Sequence, residues 1–429
     1  MLKRFVDVRE EERGAVLWSF LYFFTLMCGY FILKPVRDEM GTAGGVKDLK
    51  KLWTATFVVM MVAVPVYSAL VARWPRKRVI PFVYRFFLLN LLGFFALLKL
   101  GLGSELVARS FYVWLSVYNL FVVSVFWSFM ADLFVSEQGR RLFGFISAGG
   151  TAGILMGLLF VRQLAEPLGP VNLILISAAL LEVSAQCVKR LSRWAYDMQS
   201  PPSVGAPVGG GVLSGLKLLA TSPFLLALGL QTVFYTVTSS FLYILQVKLV
   251  DTVASGAAAR TTAFANIELW VQLATLIIQA FVTGRLISKL GLAVAMAVAP
   301  VLTALGFLGL SVMPAILLFV GVRALRGAAH YGLERPSREI LFTTVSREEK
   351  YKAKSFIDTV VYRGGDVVGG WMEGGLSALG LGVGGVLLTA MPLAGLWLAI
   401  SLYLSRHARV RNRAAEPALS AVPSDVPVR

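Results

Sequence analysis

The sequence predicts an all-α integral membrane protein of twelve transmembrane helices, arranged as two six-helix bundles. Three observations carry this. Of 429 residues, 57% are hydrophobic and only 15% charged, whereas soluble domains run nearer one half and one quarter. The apolar residues gather in runs of about 20, the length at which a helix crosses a bilayer. The longest polar stretch falls between the sixth and seventh runs. This composition excludes a soluble enzyme, a secreted disulfide scaffold and a disordered chain. The two cysteines, Cys28 and Cys187, both sit in apolar runs and supply neither a disulfide framework nor a zinc cluster.

In chain order the runs lie at roughly 14–33, 52–71, 80–100, 107–131, 142–164, 170–188, 222–246, 262–284, 291–310, 313–334, 355–379 and 382–404. Residues 1–13 form an arm charged in both signs, with Glu10, Glu11 and Glu12. No small-residue cleavage site follows the first run, so it reads as a retained helix and not a signal peptide. Lys189 to Gly215 contains Pro201, Pro202, Pro207 and Gly209 to Gly211, which is linker composition. The expected organisation is therefore an arm (1–13), a bundle (14–188), a linker (189–221), a second bundle (222–404) and a flexible basic tail (405–429).

Charge sets the orientation. The net charge is +17, a value that also suits a nucleic-acid binder. Here, however, most of the 41 Lys and Arg flank the runs on one side, in Arg73 to Arg78, Arg140 and Arg141, Lys189 and Arg190, the loop after Arg335 and the tail. That side is cytoplasmic by the positive-inside rule, and both termini lie on it. No nucleic-acid partner is expected. Lys34, Arg37, Lys47, Lys50 and Lys51 break the rule by clustering on the opposite side. They form either a solvated loop or a positive mouth for an anion pathway.

Ionisable groups at bilayer depth cost about 2.5–3.5 kcal/mol each at a helix centre and so need a reason. Arg323 and Arg326 fall roughly 14–18 Å into the tenth run, near the midplane. His330 and Glu334 continue the same helical face. Two readings stand: a buried ion-pair strip with Glu268, Asp358 or Asp366, or a clamp for an anionic solute. Arginine suits phosphate because its planar fork donates in pairs and stays charged when buried. Glu268, Gln272, Thr275 and Gln279 form a second polar face. Asp358, Tyr362, Asp366 and Glu373 form a third, with Arg363 beside them, and Gln231, Tyr235, Tyr243 and Gln246 a fourth. Several such stripes in one half favour a wet cavity over simple interhelical glue. Glu268, His330, Asp358 and Asp366 are the candidates for proton or ion coupling. Gly149, Gly153 and Gly157, like Gly365 and Gly369, recur every four residues, the spacing of closely packed helices.

Enzyme motifs are absent. Gly210 to Lys217 approaches a phosphate loop, but Leu216 stands where lysine is required. Neither a zincin nor a nucleophile-elbow motif occurs. No enzyme activity, cofactor or metal is expected, and a nucleotide would be cargo and not fuel.

The halves also echo each other. Arg73 to Arg78 after the second run and Gly284 to Gly291 after the eighth resemble worn copies of a short basic loop of major-facilitator transporters, with Ala72 and Ser288 in place of its acid. Leu133-Phe134 before Phe145-Ile146 is repeated as Leu341-Phe342 before Phe356-Ile357, consistent with a 6+6 pseudo-repeat. Three blocks are similar to the ATP:ADP antiporter (nucleotide transporter) family. They are Leu33 to Asp38 followed by Lys51-Leu52-Trp53, then Phe126-Trp127 through Glu137 to Arg141-Leu142-Phe143-Gly144, and Lys350 to Asp358. The resemblance implies a major-facilitator-like fold exchanging nucleotides without hydrolysis. Carried over by position, it implies substrate roles for Lys51, Glu137, and Lys350, Lys352 or Lys354. One departure is that Leu242 to Lys248 lacks the acid that the family carries in its seventh helix. The cargo is thus open between ATP/ADP and another phosphorylated or carboxylated anion. Together these readings make Lys34, Arg37, Lys51, Arg323, Arg326, Glu137, Lys352 and Arg363 the candidate substrate residues. The protein is expected to be a monomer among the lipids of a bacterial cytoplasmic (inner) membrane. A proton-coupled facilitator of another small organic solute is the alternative.

Overall fold

A computed structural model describes residues 9–42, 46–73, 76–102, 104–134, 136–197, 212–342, 345, 353–354 and 356–420. Among these residues all regular structure is helical. The first half contributes α1 (Arg13–Thr42), α2 (Val46–Arg73), α3 (Arg76–Lys99), α4 (Ser104–Leu133), α5 (Ser136–Leu168) and α6 (Leu173–Asp197). A short α7 (Val212–Thr221) precedes α8 (Pro223–Val253), α9 (Ala257–Phe281) and α10 (Thr283–Val312). Gly291 takes φ 82° inside α10. That left-handed conformation suits glycine alone and turns the chain into the membrane-length piece at 291–312. Next come α11 (Ile316–Ala329), a π-helical turn (His330–Glu334) and α12 (Arg335–Leu341). A second π turn (Ile357–Val361) leads into α13 (Tyr362–Ala378), and α14 (Val383–Thr389) and α15 (Met391–Ser420) complete the chain.

Among the described residues, eleven helices are long and apolar enough to cross a membrane, and the protein is an integral, multi-pass membrane protein. The segment expected as a further span, 355–379, is helical over Ile357–Ala378. Its Arg363, Asp366 and Glu373 and its glycines keep it below the apolar content of the other eleven. The last helix runs through Ser420, well beyond the apolar run that ends near Leu404. The linker residues 198–211 lie outside the described residues.

Two compact units divide the chain. The first comprises Met1–Pro207 with Val247–Leu273, and the second Val208–Gln246 with Ala274–Arg429. In the first, α1 is the central helix: its most apolar window is 72% buried, against 22% for the spans Asp48–Val66 and Phe82–Lys99, whose apolar faces remain free for lipid. The close approach predicted by the glycine spacing of α5 is present. A Cβ on Gly149 would lie 2.6 Å from the Phe20 carbonyl oxygen of α1. One on Gly157 would lie 2.5 Å from that of Cys28, and one on Gly153 would overlap that of Phe24. Aromatic rings fill the rest, with Phe23 stacked on Phe126 at 4.2 Å and Tyr22 edge-on to Phe126 at 4.8 Å. Glu12 is buried at the start of α1, where it accepts from Gln138 (2.9 Å) and Arg141 (3.0 Å) of α5.

In the second unit, Gly365 and Gly369 of α13 lie against Thr236 and Ser240 of α8, again as small-residue packing predicts. Its buried apolar residues form separate clusters, one around Leu225, Met296 and Ile357 and one around Tyr235, Ala299 and Trp397.

Candidate functional site

The polar side chains of the second unit are set by helical register. Arg326 lies in the last turn of α11, and its π-turn neighbours follow without a break. Only 2% of Arg326 is exposed. Its Nε donates to Thr303 Oγ1 (2.8 Å), Nη1 to Ser239 Oγ (3.0 Å), and Nη2 to Thr238 Oγ1 (2.8 Å) and the Tyr235 carbonyl (3.0 Å). The guanidinium also faces the Tyr235 ring at 4.9 Å. Neutral oxygens, and no carboxylate among the described residues, hold this cation. Those contacts tie α11 to α8 and α10. Replacing Arg326 with Leu strands the oxygens that accept from it, so an unfolding-stability loss of about 3 kcal/mol is expected. Denaturant titration of the purified variant measures it.

Arg323, one turn earlier, differs. It is half-buried, its Nε is buried without a hydrogen-bond partner, and no ion pair engages it among the described residues. A cation on a membrane-length helix without a counter-ion among the described residues is costly.

His330 and Glu334 are paired across the π turn, Nδ1 to Oε2 at 2.8 Å. Glu334 Oε1 accepts from Gln231 (2.9 Å) and Trp397 (3.0 Å), and the His330 ring stacks on Tyr235 with centroids 3.4 Å apart. The second π turn holds Asp358, which pairs with Arg338 at 2.8 Å, while Arg338 also donates to Thr232 at 2.9 Å. Arg363 pairs with Asp366 at 3.3 Å. Both π turns therefore carry a candidate from the sequence, as such turns often do at functional sites.

Lys34, Arg37, Lys51, Glu137 and Glu268 belong to the first unit, and Lys352 and Lys354 to the second. Lys34 pairs with Glu268 at 2.8 Å, and Gln272 donates to the same carboxylate. Glu39 pairs with Arg260 at 2.9 Å. Arg37 pairs with Asp38 and lies over the Tyr112 ring at 4.7 Å. The Lys51 side chain is 71% exposed and reaches Asp48 at 3.5 Å. Glu137 lies in the first turn of α5, but its side chain, like the whole of Lys352, is outside the described residues. Lys354 pairs with Glu339 at 2.5 Å.

Thus Lys34 meets Glu268, and Arg363 meets Asp366, while Arg326 meets none of the acids proposed for it. Glu334, Arg338 and the Glu39–Arg260 pair were not singled out as site residues from sequence. The His330–Glu334 spacing of four was a visible signal. Gln231, 103 residues away, stood in the fourth polar face, whereas Trp397, 63 residues away, gave none.

The described helices share the fold of solved membrane transporters. No described protein family and no curated protein sequence matches the chain. Among solved structures it is similar to a bacterial homologue of the iron transporter ferroportin in an inward-facing state, with 13% identity, a TM-score of 0.67, and 92% of this chain and 98% of that chain covered. The POT family transporter PepTSo gives 12%, 0.66, and 92% and 98%. The nucleoside transporter NupG gives 14%, 0.56, and 96% and 99%. The fold is common to all three. Their different cargoes leave this chain's substrate to its own side chains.

Proposed function

We propose that the protein is a secondary active transporter, working by alternating access, that exchanges a small anionic solute of nucleotide type. Twelve spans are counted in this reading. The helix at 357–378 is the additional one, since its 22 residues reach about 33 Å, enough for the ~30 Å hydrocarbon core. Both termini are cytoplasmic by the positive-inside bias. The observation that carries the anion assignment is Arg323, a half-buried guanidinium on a membrane-length helix with no counter-ion among the described residues. Neighbouring Arg326 adds positive potential without competing for the ligand, because its own donors are occupied. In this reading the cargo passes unchanged. Purified protein in liposomes loaded with unlabelled nucleotide should take up labelled ATP or ADP. If neither nucleotides nor other phosphate esters or dicarboxylates exchange, the proposal fails.

A second reading rests on the buried His330–Glu334 pair, which offers a proton site inside the second unit. In that case Glu334→Gln, which preserves shape and removes the charge, abolishes uptake driven by a pH gradient. Uptake that ignores the gradient in wild-type protein rules this reading out.

A further inference from the structure

A cavity of about 800 Å³ lies wholly within the first unit, between α2, α3 and α4. Its wall is apolar and includes Val59, Phe86 and Trp114. Val59 and Phe86 are 40% and 51% exposed, so the groove opens sideways, where a membrane protein meets lipid and not water. From Lys51 to Val66 on α2 the lining covers about 22 Å, longer than the ~15 Å of hydrocarbon in one leaflet. An acyl chain fits that length and chemistry.

One end is different. Where α2 and α4 begin, Asp48, Lys51 and Arg109 line the groove. Arg109 bridges Asp48 and Glu105, each at 2.6 Å, and Lys51 reaches Asp48 at 3.5 Å. Two cations and two anions thus alternate around the mouth and sum to zero. A simple anion would meet both carboxylates. A headgroup carrying one phosphate and one ammonium matches the pattern, with phosphate toward Lys51 and Arg109 and ammonium toward Asp48 and Glu105.

We infer that this groove is a binding site for a zwitterionic, amine-bearing glycerophospholipid, with one acyl chain along α2 and its headgroup on the Asp48–Lys51–Glu105–Arg109 cluster. This inference is independent of the transported cargo. Lys51 then serves lipid recognition, in keeping with its exposure.

Full-length protein in nanodiscs of equal parts phosphatidylethanolamine and phosphatidylglycerol, with matched chains, supplies the test. After detergent extraction, native mass spectrometry counts the retained lipid. Wild-type protein should retain phosphatidylethanolamine over phosphatidylglycerol by about tenfold. The double variant Lys51→Gln/Arg109→Gln should bring the ratio to about one. Ala55→Trp, which fills the groove, should remove retention of both lipids. Should that variant not fold, the exposed Lys51→Gln change alone is expected to lower the ratio. Equal retention of the two lipids by wild type overturns the inference. So does a preference that survives the double variant, or displacement of the lipid by a single-chain fatty acid at equal concentration.

Discussion

Arg323→Ala is expected to lower anion exchange in proteoliposomes by about a hundredfold, with the purified protein still folded and its melting temperature little changed. The two halves of this expectation have separate causes. A guanidinium gripping a phosphate or carboxylate through two charge-assisted bonds contributes about 3 kcal/mol, which converts to roughly that factor in affinity. Stability is spared because no hydrogen bond or ion pair engages Arg323 among the described residues, so nothing is stranded when it goes. Arg323→Lys should fall between, since it keeps the charge and loses the fork. The contrast with Arg326 is the informative one. A side chain with five occupied contacts should fail first in stability, and one without partners first in transport. Wild-type exchange by Arg323→Ala would remove the anion site from this helix.

Gly153→Val is expected to abolish recovery of folded, monodisperse protein. The added Cβ overlaps the Phe24 carbonyl oxygen of α1, and a helical backbone cannot step aside as a side chain can. The helices must separate, and Gly149 and Gly157 make the same close contact one turn away on each side. Overpacking of this kind costs about 1–3 kcal/mol in soluble cores and more where backbone must move. Here it strikes the helix around which the first unit is built. Gly144→Ala is the control. Nothing lies within 4 Å of its Cβ position, so helix propensity alone applies, with a gain of up to about 1 kcal/mol. Size-exclusion profiles and thermal unfolding in detergent measure both variants. Normal folding of Gly153→Val would show that α1 and α5 do not need this approach.

Much of the fold is legible in the chain because its signals are local. A run of 20 apolar residues has only one way to satisfy its backbone in hydrocarbon, so spans can be read one at a time. The α5 glycine stripe is equally local, since a four-residue period puts small residues on one face whatever packs there. Gly365 and Gly369 behave the same way against Thr236 and Ser240. The helix at 357–378 is harder to read, because its charges and glycines dilute the apolar signal that marks the eleven membrane-length helices among the described residues.

The polar residues divide differently. Periodicity placed Arg323, Arg326, His330 and Glu334 on one face of one helix, and that much was determined by the sequence alone, together with the presence of membrane spans and the small-residue contacts. Only the tertiary structure decided that Arg326 is held by hydroxyls of α8 and α10 while Arg323 has no counter-ion among the described residues. It likewise assigned Glu268 to Lys34 and Asp358 to Arg338. Burial and helical phase depend on near neighbours in the chain, but a hydrogen-bond partner is chosen by whichever distant helix packs alongside, and composition carries no record of that choice.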